Sequence, residues 1–120
     1  YSNAGHNPPL ISTNGKAFEP LKTDSGFVLA GIEDFPYTTG EITFSPGDRI
    51  LMFTDGVTEA LNPGEELFGD ERLIAALNRP DLFNLGVTEL VHAVRKEISV
   101  FADSAPQADD ITILALSFNG

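Results

Sequence analysis

The chain of 120 residues contains no cysteine, no tryptophan and only one methionine. Without cysteine it can form neither disulfides nor thiolate zinc sites, and this fits a reducing compartment. No run approaches the roughly 20 apolar residues that a membrane-spanning helix needs. The start of the chain also lacks the charged and apolar regions of a signal peptide. We therefore expect a cytoplasmic protein with no direct membrane contact from this segment.

Basic residues are scarce. The chain has 7 Lys and Arg and 18 Asp and Glu, which give it a net charge of -11. Such a chain would be repelled by the phosphates of nucleic acid and by anionic membrane surfaces. A phosphorylated substrate would have to be attracted by bound cations rather than by a basic surface. The charge thus argues against nucleic-acid binding.

Short apolar runs between turn signals dominate the first half of the chain. Asn14-Gly15 predicts a two-residue hairpin, because both residues tolerate positive φ. Ser45 to Asp48 predicts a tight turn in which Pro46 fixes φ. The predicted strands, the first of them only a strand end, are Tyr1 to Ala4, Leu10 to Thr13, Lys16 to Leu21, Glu41 to Phe44 and Arg49 to Thr54.

The pattern changes to a helical period in the second half. A shorter helix is predicted from Glu71 to Leu77 with Asp70 as its N-cap. A buried strand from Ile111 to Phe118 closes the chain. The sequence predicts an α+β fold, an antiparallel sheet with two helices on one face. The longer helix follows from the amphipathic spacing of Val87, Leu90, Val91, Val94, Ile98 and Phe101.

Carboxylates stand at the edges of two apolar runs, Asp55 after residues 49–53 and Asp109 and Asp110 before residues 113–116. A charged side chain at the end of a buried strand is stable only when it is solvated, paired with an opposite charge or bound to a cation. A hard-metal site with oxygen ligands is therefore predicted. Two alternatives remain: Asp55-Gly56 is also a hairpin-turn signal, and the acidic pair is also typical of a solvated loop. If Asp109 and Asp110 lie in an extended segment, their side chains point to opposite sides of it, so only one of them can face the same centre as Asp55.

Three segments resemble, in this order, the C-terminal part of bacterial PPM-type (PP2C-like) serine phosphatases of the SpoIIE/RsbU branch. They are Ser2 to Pro9, Thr54 to Ala60 and Ala108 to Thr112. The resemblance implies that residues 1–120 are the C-terminal part of a phosphatase domain whose N-terminal part is missing. It also implies half of an αββα sandwich of two stacked sheets.

The resemblance further implies two Mn²⁺ or Mg²⁺ ions and a metal-bridging water that attacks a phosphoserine. Asp55 and Asp109 match the family's catalytic metal ligands, and Asp110 would support the loop. Gly56 would let the backbone approach a hydrated ion. The family's Asp-Xaa-Ser-Gly-His-Gly motif, which supplies the bridging Asp, is absent from this chain, so we expect the segment alone to be inactive.

Glu59 and His6 match positions that help eukaryotic relatives hold a third metal. Glu59 would share a helix face with Asp55 if a helix begins there, or it is simply an acid near a helix N-terminus. His6 is otherwise a turn residue bonded to the backbone. We favour the structural interpretation for both residues.

Two partners are expected. By the resemblance, the substrate is a phosphoserine protein of the anti-anti-sigma (STAS) type; the alternative is a phosphatase-derived module that binds a partner without catalysis. The second partner is another copy of the segment. Residues 50–53 and 113–116 are apolar at consecutive positions, which is typical of strands covered on both faces. Because the helices cover only one face, we predict a two-fold dimer with stacked sheets.

Overall fold

A computed structural model describes residues 1–24 and 26–120. The elements are β1 (Leu10–Ser12), β2 (Glu19–Pro20), β3 (Arg49–Phe53), α1 (Asp55–Thr58), α2 (Gly69–Leu77), α3 (Pro80–Phe83), α4 (Val87–Ala102) and β4 (Ile113–Ser117). The four strands of the described residues form one antiparallel sheet in the order β2-β1-β3-β4. The two longer helices, α2 and α4, lie close to the predicted positions, and two single-turn helices, α1 and α3, accompany them.

The core lies between the sheet and the longer helices. Side chains alternate along β3, so Leu51 and Phe53 are buried while Ile50 and Met52 are only half-buried. The buried residues of α4 follow the predicted amphipathic stripe. The helical part of the core consists mainly of Leu73, Ala76, Leu77, Leu90, Val94 and Ile98. The predicted α+β arrangement is confirmed.

The central strands β3 and β4 pair with Arg49 opposite Ser117 and Phe53 opposite Ile113. In an antiparallel pair, the end of one strand and the start of the other lie at the same edge of the sheet. The hydrogen bond from the Thr54 N–H to the Thr112 carbonyl, 3.1 Å, continues the pairing one step beyond β3. The two acidic segments therefore leave the sheet side by side.

Both predicted turns are present, but the first is not a two-residue hairpin, because residues 13–18 connect β1 to β2. Asn14 and Gly15 have φ of 53° and 68°, and the Lys16 N–H donates to the Thr13 carbonyl at 3.0 Å. In the second turn the Asp48 N–H donates to the Ser45 carbonyl at 3.0 Å. The buried Asp48 carboxylate accepts from the Ser45 N–H (2.8 Å) and the Asn14 N–H (2.7 Å), and it thereby ties the two turns together.

Two predicted strands and one predicted cap are wrong. Tyr1 and Gly40 exchange two backbone hydrogen bonds of 2.8 Å. Among the described residues this pairing does not extend into a ladder, so Tyr1 to Ala4 and Glu41 to Phe44 are not strands. Helix α2 begins at Gly69, whose φ of +76° suits glycine. Asp70 therefore lies inside the first turn, where its charge favours the helix dipole, and Phe68 occupies the N-cap position instead.

The sheet has an outer face, which we define as Ile50, Met52, Leu114 and Leu116. These residues form cross-strand pairs, Ile50 with Leu116 and Met52 with Leu114. Leu114 is 48% and Leu116 is 51% exposed. The outer face is therefore apolar and largely open to solvent on the β4 side. The prediction of a buried strand at Ile111 to Phe118 is wrong in its burial, because β4 spans Ile113–Ser117 and each of its residues is half-buried or exposed. Within the described residues, no helix combines the length and apolarity needed to cross a bilayer.

Candidate metal centre

Asp55 lies at the point where the chain leaves β3 and enters α1. The Val57 N–H donates to the Thr54 carbonyl (3.0 Å) and the Glu59 N–H to the Asp55 carbonyl (2.8 Å), which closes a helical turn. Val57 is fully buried and anchors that turn in the core, while Asp55 stays exposed. The hairpin-turn interpretation of Asp55-Gly56 is therefore wrong.

The Asp55 carboxylate is held by a residue that sequence reasoning did not identify. The Asn7 Nδ2 donates to the Asp55 Oδ1 at 2.7 Å, across 48 positions of sequence. A neutral amide donor orients the carboxylate without cancelling its charge, and the second carboxylate oxygen stays available. The only signal in the sequence was the place of Asn7 inside the first of the three motif segments.

The adjacent acids differ in their surroundings. The Asp110 N–H donates to the Asp109 Oδ1 at 2.7 Å, and the Gln107 side chain donates to the Asp109 carbonyl at 2.8 Å. Asp109 lines a cavity of ≈ 250 Å³ together with Gly56, Glu59 and Arg95, whereas Asp55 and Asp110 do not line it. The cavity therefore does not decide which of the two adjacent acids faces the same centre as Asp55, and both ligand assignments stay predictions.

Gly56 is the position of closest approach between the two acidic segments. A Cβ built on it would lie 2.5 Å from the Asp110 carbonyl oxygen and 3.1 Å from the Asp109 carbonyl oxygen. Real Cβ atoms do not approach so closely, so any other residue would push the segments apart. The glycine is thus explained by packing between backbones, and its contact with an ion stays a prediction.

Glu59 and His6 occupy different surroundings. Glu59 is the exposed C-cap residue of α1, so its interpretation as an acid near a helix N-terminus is wrong. The His6 Nδ1 lies 2.9 Å from the Asn7 carbonyl oxygen, and the His6 N–H donates to the Asn3 Oδ1 at 2.9 Å. The interpretation of His6 as a turn residue bonded to the backbone is confirmed.

The donor set suits a hard divalent cation only in part. Asp55 and Asp109 are exposed carboxylates, and each has one oxygen engaged by an N–H donor. Mg²⁺ requires about six oxygens in near-octahedral geometry. Across residues 1–24 and 26–120, no group of three or more His, Asp and Glu converges on one point. These residues therefore fit as part of a metal centre and not as a whole one.

The chain is similar in sequence to one protein family and to two individual proteins. The family described as "Stage II sporulation protein E (SpoIIE)" matches residues 1–119. IcfG of Synechocystis sp. is 31% identical over 120 residues, which cover 99% of this chain and 18% of IcfG. Phosphoserine phosphatase RsbU of Bacillus subtilis is 28% identical over 123 residues, covering 97% of this chain and 33% of RsbU. The chain therefore spans a minor part of both relatives.

Among solved structures, the SiaA-PP2C domain of Pseudomonas aeruginosa is similar with a TM-score of 0.75 and 25% identity. The similarity covers 96% of this chain and 44% of that chain. The resemblance to PP2C-like domains that the three motif segments indicated is thus confirmed at the level of fold and family.

We predict that Gly56→Ala destabilises the fold by about 1–3 kcal/mol, the usual cost of overpacking, because its Cβ would collide with the Asp110 carbonyl. Urea unfolding measures the loss, and amide chemical shifts of residues 109–112 should change with it. Gly64→Ala is the matched control, since its Cβ would meet only the Asn62 side chain, at 3.3 Å. Equal stability of the two variants would contradict the close approach.

Proposed function

The chain belongs to the SpoIIE family of PP2C-type phosphatases, and from this premise we propose that the protein containing it is a metal-dependent protein serine/threonine phosphatase. Residues 1–120 form the C-terminal part of its catalytic domain. The observation that carries this proposal is the meeting of the Asp55 and Asp109 segments at one sheet edge, where Gly56 lies against the Asp110 carbonyl.

Asp55 and Asp109 are the proposed ligands, each through the oxygen that its N–H donor leaves available. Asn7 orients the Asp55 carboxylate, and the Asp110 N–H orients that of Asp109. Glu59 and Gly56 line the same cavity as Asp109, and they are further candidates for contact with the ions or their water. Bound Mn²⁺ or Mg²⁺ would supply a water of lowered pKa and compensate charge on the phosphoryl oxygens.

The proposed substrate is a cytoplasmic phosphoserine protein of the anti-anti-sigma (STAS) type, so that the enzyme would act in sigma-factor regulation. Support comes from the similarity to RsbU, which is named a phosphoserine phosphatase. The chain's own charge of -11 does not favour a phosphoprotein. Attraction of the phosphate therefore depends on the bound cations.

A second candidate function is a phosphatase-derived module that binds a partner without catalysis. It is favoured by the small number of converging acids, since no group of three or more ligand-type side chains forms among the described residues. The encoded sequence before Tyr1 separates the two candidates. An Asp-containing motif there would supply the bridging carboxylate and would support the enzyme.

In the intact protein, Asp55→Asn and Asp109→Asn should each lower phosphatase activity by more than about 100-fold. Loss of a group that only orients a metal ligand costs up to about 100-fold, and loss of the ligand itself should cost more. Each change removes an anionic ligand but preserves side-chain shape, so the fold should survive. Asp110→Asn is the control, because the Asp110 carbonyl that contacts Thr54 is unchanged. Hydrolysis of a phosphoserine protein with Mn²⁺ measures the effect. A larger loss in Asp110→Asn than in Asp109→Asn would reverse the assignment.

Residues 1–120 on their own should show negligible hydrolysis of p-nitrophenyl phosphate with millimolar Mn²⁺. The reason is that two carboxylates supply too few ligands to fix the spacing of two ions. The intact protein assayed in parallel is the positive control. Turnover by the segment that disappears in Asp55→Asn would mean that residues 1–120 assemble a complete centre.

Residues 1–120 on their own should also form a two-fold dimer through the outer face, because its apolar cross-strand pairs can stack on those of a second copy. Light scattering should give twice the 12.9 kDa chain mass, and Leu116→Glu should give a monomer. Val100→Glu is the control, since Val100 is 70% exposed on α4, away from the sheet. A wild-type monomer that binds no hydrophobic dye would contradict the dimer.

A further inference from the structure

Thr54 connects the two acidic segments through three hydrogen bonds, which we call the Thr54 bridge. Its N–H donates to the Thr112 carbonyl at 3.1 Å. Its hydroxyl donates to the Asp110 carbonyl at 2.8 Å and accepts from the Thr112 N–H at 3.0 Å. The hydroxyl thus acts as donor and acceptor at once, and both partners belong to the segment before β4.

The side chain of Thr54 joins the segments where the regular ladder has ended. Strand β3 ends at Phe53 and β4 begins at Ile113, so the Asp110 carbonyl lies outside the paired strands. An unpaired carbonyl at this place would be free to turn toward water. The hydroxyl holds it instead, next to the point where Gly56 leaves no room for a Cβ.

Each end of the Thr54 bridge is one residue away from a proposed ligand. Thr54 precedes Asp55, and Asp110 follows Asp109. Loss of the hydrogen bond between the Thr54 hydroxyl and the Asp110 carbonyl would therefore free the backbones of the two proposed ligands to move relative to each other. Groups that orient metal ligands without touching the ion typically change metal affinity by about 10- to 100-fold when they are removed.

We propose that Thr54 is a positioning residue whose hydroxyl sets the spacing of Asp55 and Asp109 and thereby the affinity for a divalent cation. This inference rests on the proposed function. It assigns Thr54 no contact with the ion or the substrate: the hydroxyl proton is donated to the Asp110 carbonyl, and one of the two oxygen lone pairs accepts from the Thr112 N–H.

The test is Mn²⁺ binding to the intact protein by isothermal titration calorimetry, without substrate. Thr54→Val keeps the side-chain shape and removes the hydroxyl, so it should weaken Mn²⁺ binding about 10- to 100-fold. Thr54→Ser keeps the hydroxyl and should bind Mn²⁺ as the wild type does. Thr88→Val is the matched control, since Thr88 is exposed in the first turn of α4 and belongs to neither acidic segment.

Wild-type Mn²⁺ affinity in a folded Thr54→Val variant would overturn the inference, and so would equal weakening in Thr54→Ser. Should Thr54→Val not fold, Thr54→Ala provides the same comparison; if neither folds, the hydroxyl serves the fold and the inference is overturned.

Asp55→Asn separates failure of this inference from failure of the proposed function. If Asp55→Asn weakens Mn²⁺ binding and Thr54→Val does not, only the role of Thr54 is wrong. If neither the wild type nor Asp55→Asn binds Mn²⁺, the proposed function and this inference fail together.

Discussion

The pairing of β3 with β4 is the constraint on which the candidate site depends. Its register is fixed by burial, because a shift of one residue would turn Leu51 and Phe53 away from the core and Ile50 and Met52 into it. Once the register is fixed, the residues that follow β3 must meet the residues that precede β4. The hydrophobic core therefore determines which polar groups stand together at the sheet edge, although none of them belongs to it.

At that edge, exposed residues provide the carboxylates and buried residues hold the backbone in place. Asp55 is open to solvent, whereas the next two residues, Gly56 and Val57, are buried. Val57 fixes the direction of α1, and Gly56 allows the backbones of the two acidic segments to touch. The carboxylates can therefore be reached by water and ions while the chain beneath them is rigidly packed, which is the arrangement that a ligand set needs.

Much of this arrangement follows from the sequence. The Asn14-Gly15 turn, the stripe of α4 and the position of Asp55 after an apolar run are local patterns. The strand expected at Glu41–Phe44 was wrong because alternation cannot reveal whether a partner strand is present. The hydrogen bond between Asn7 and Asp55 could not be predicted either, since it joins residues 48 positions apart and depends on the path of the chain through β1 and β3.

The position at which Mn²⁺ binds in the folded protein tests most directly whether the Asp55 and Asp109 segments form one metal centre. Mn²⁺ broadens the amide resonances of nearby residues, so a titration of the isotope-labelled intact protein locates the ion. We predict that the resonances of residues 54–56 and 108–111 broaden together at the lowest Mn²⁺ concentrations, because the β3–β4 register places these segments side by side. Broadening of only one of these segments, or first at another acidic surface such as that around Glu65 and Glu66, would contradict it.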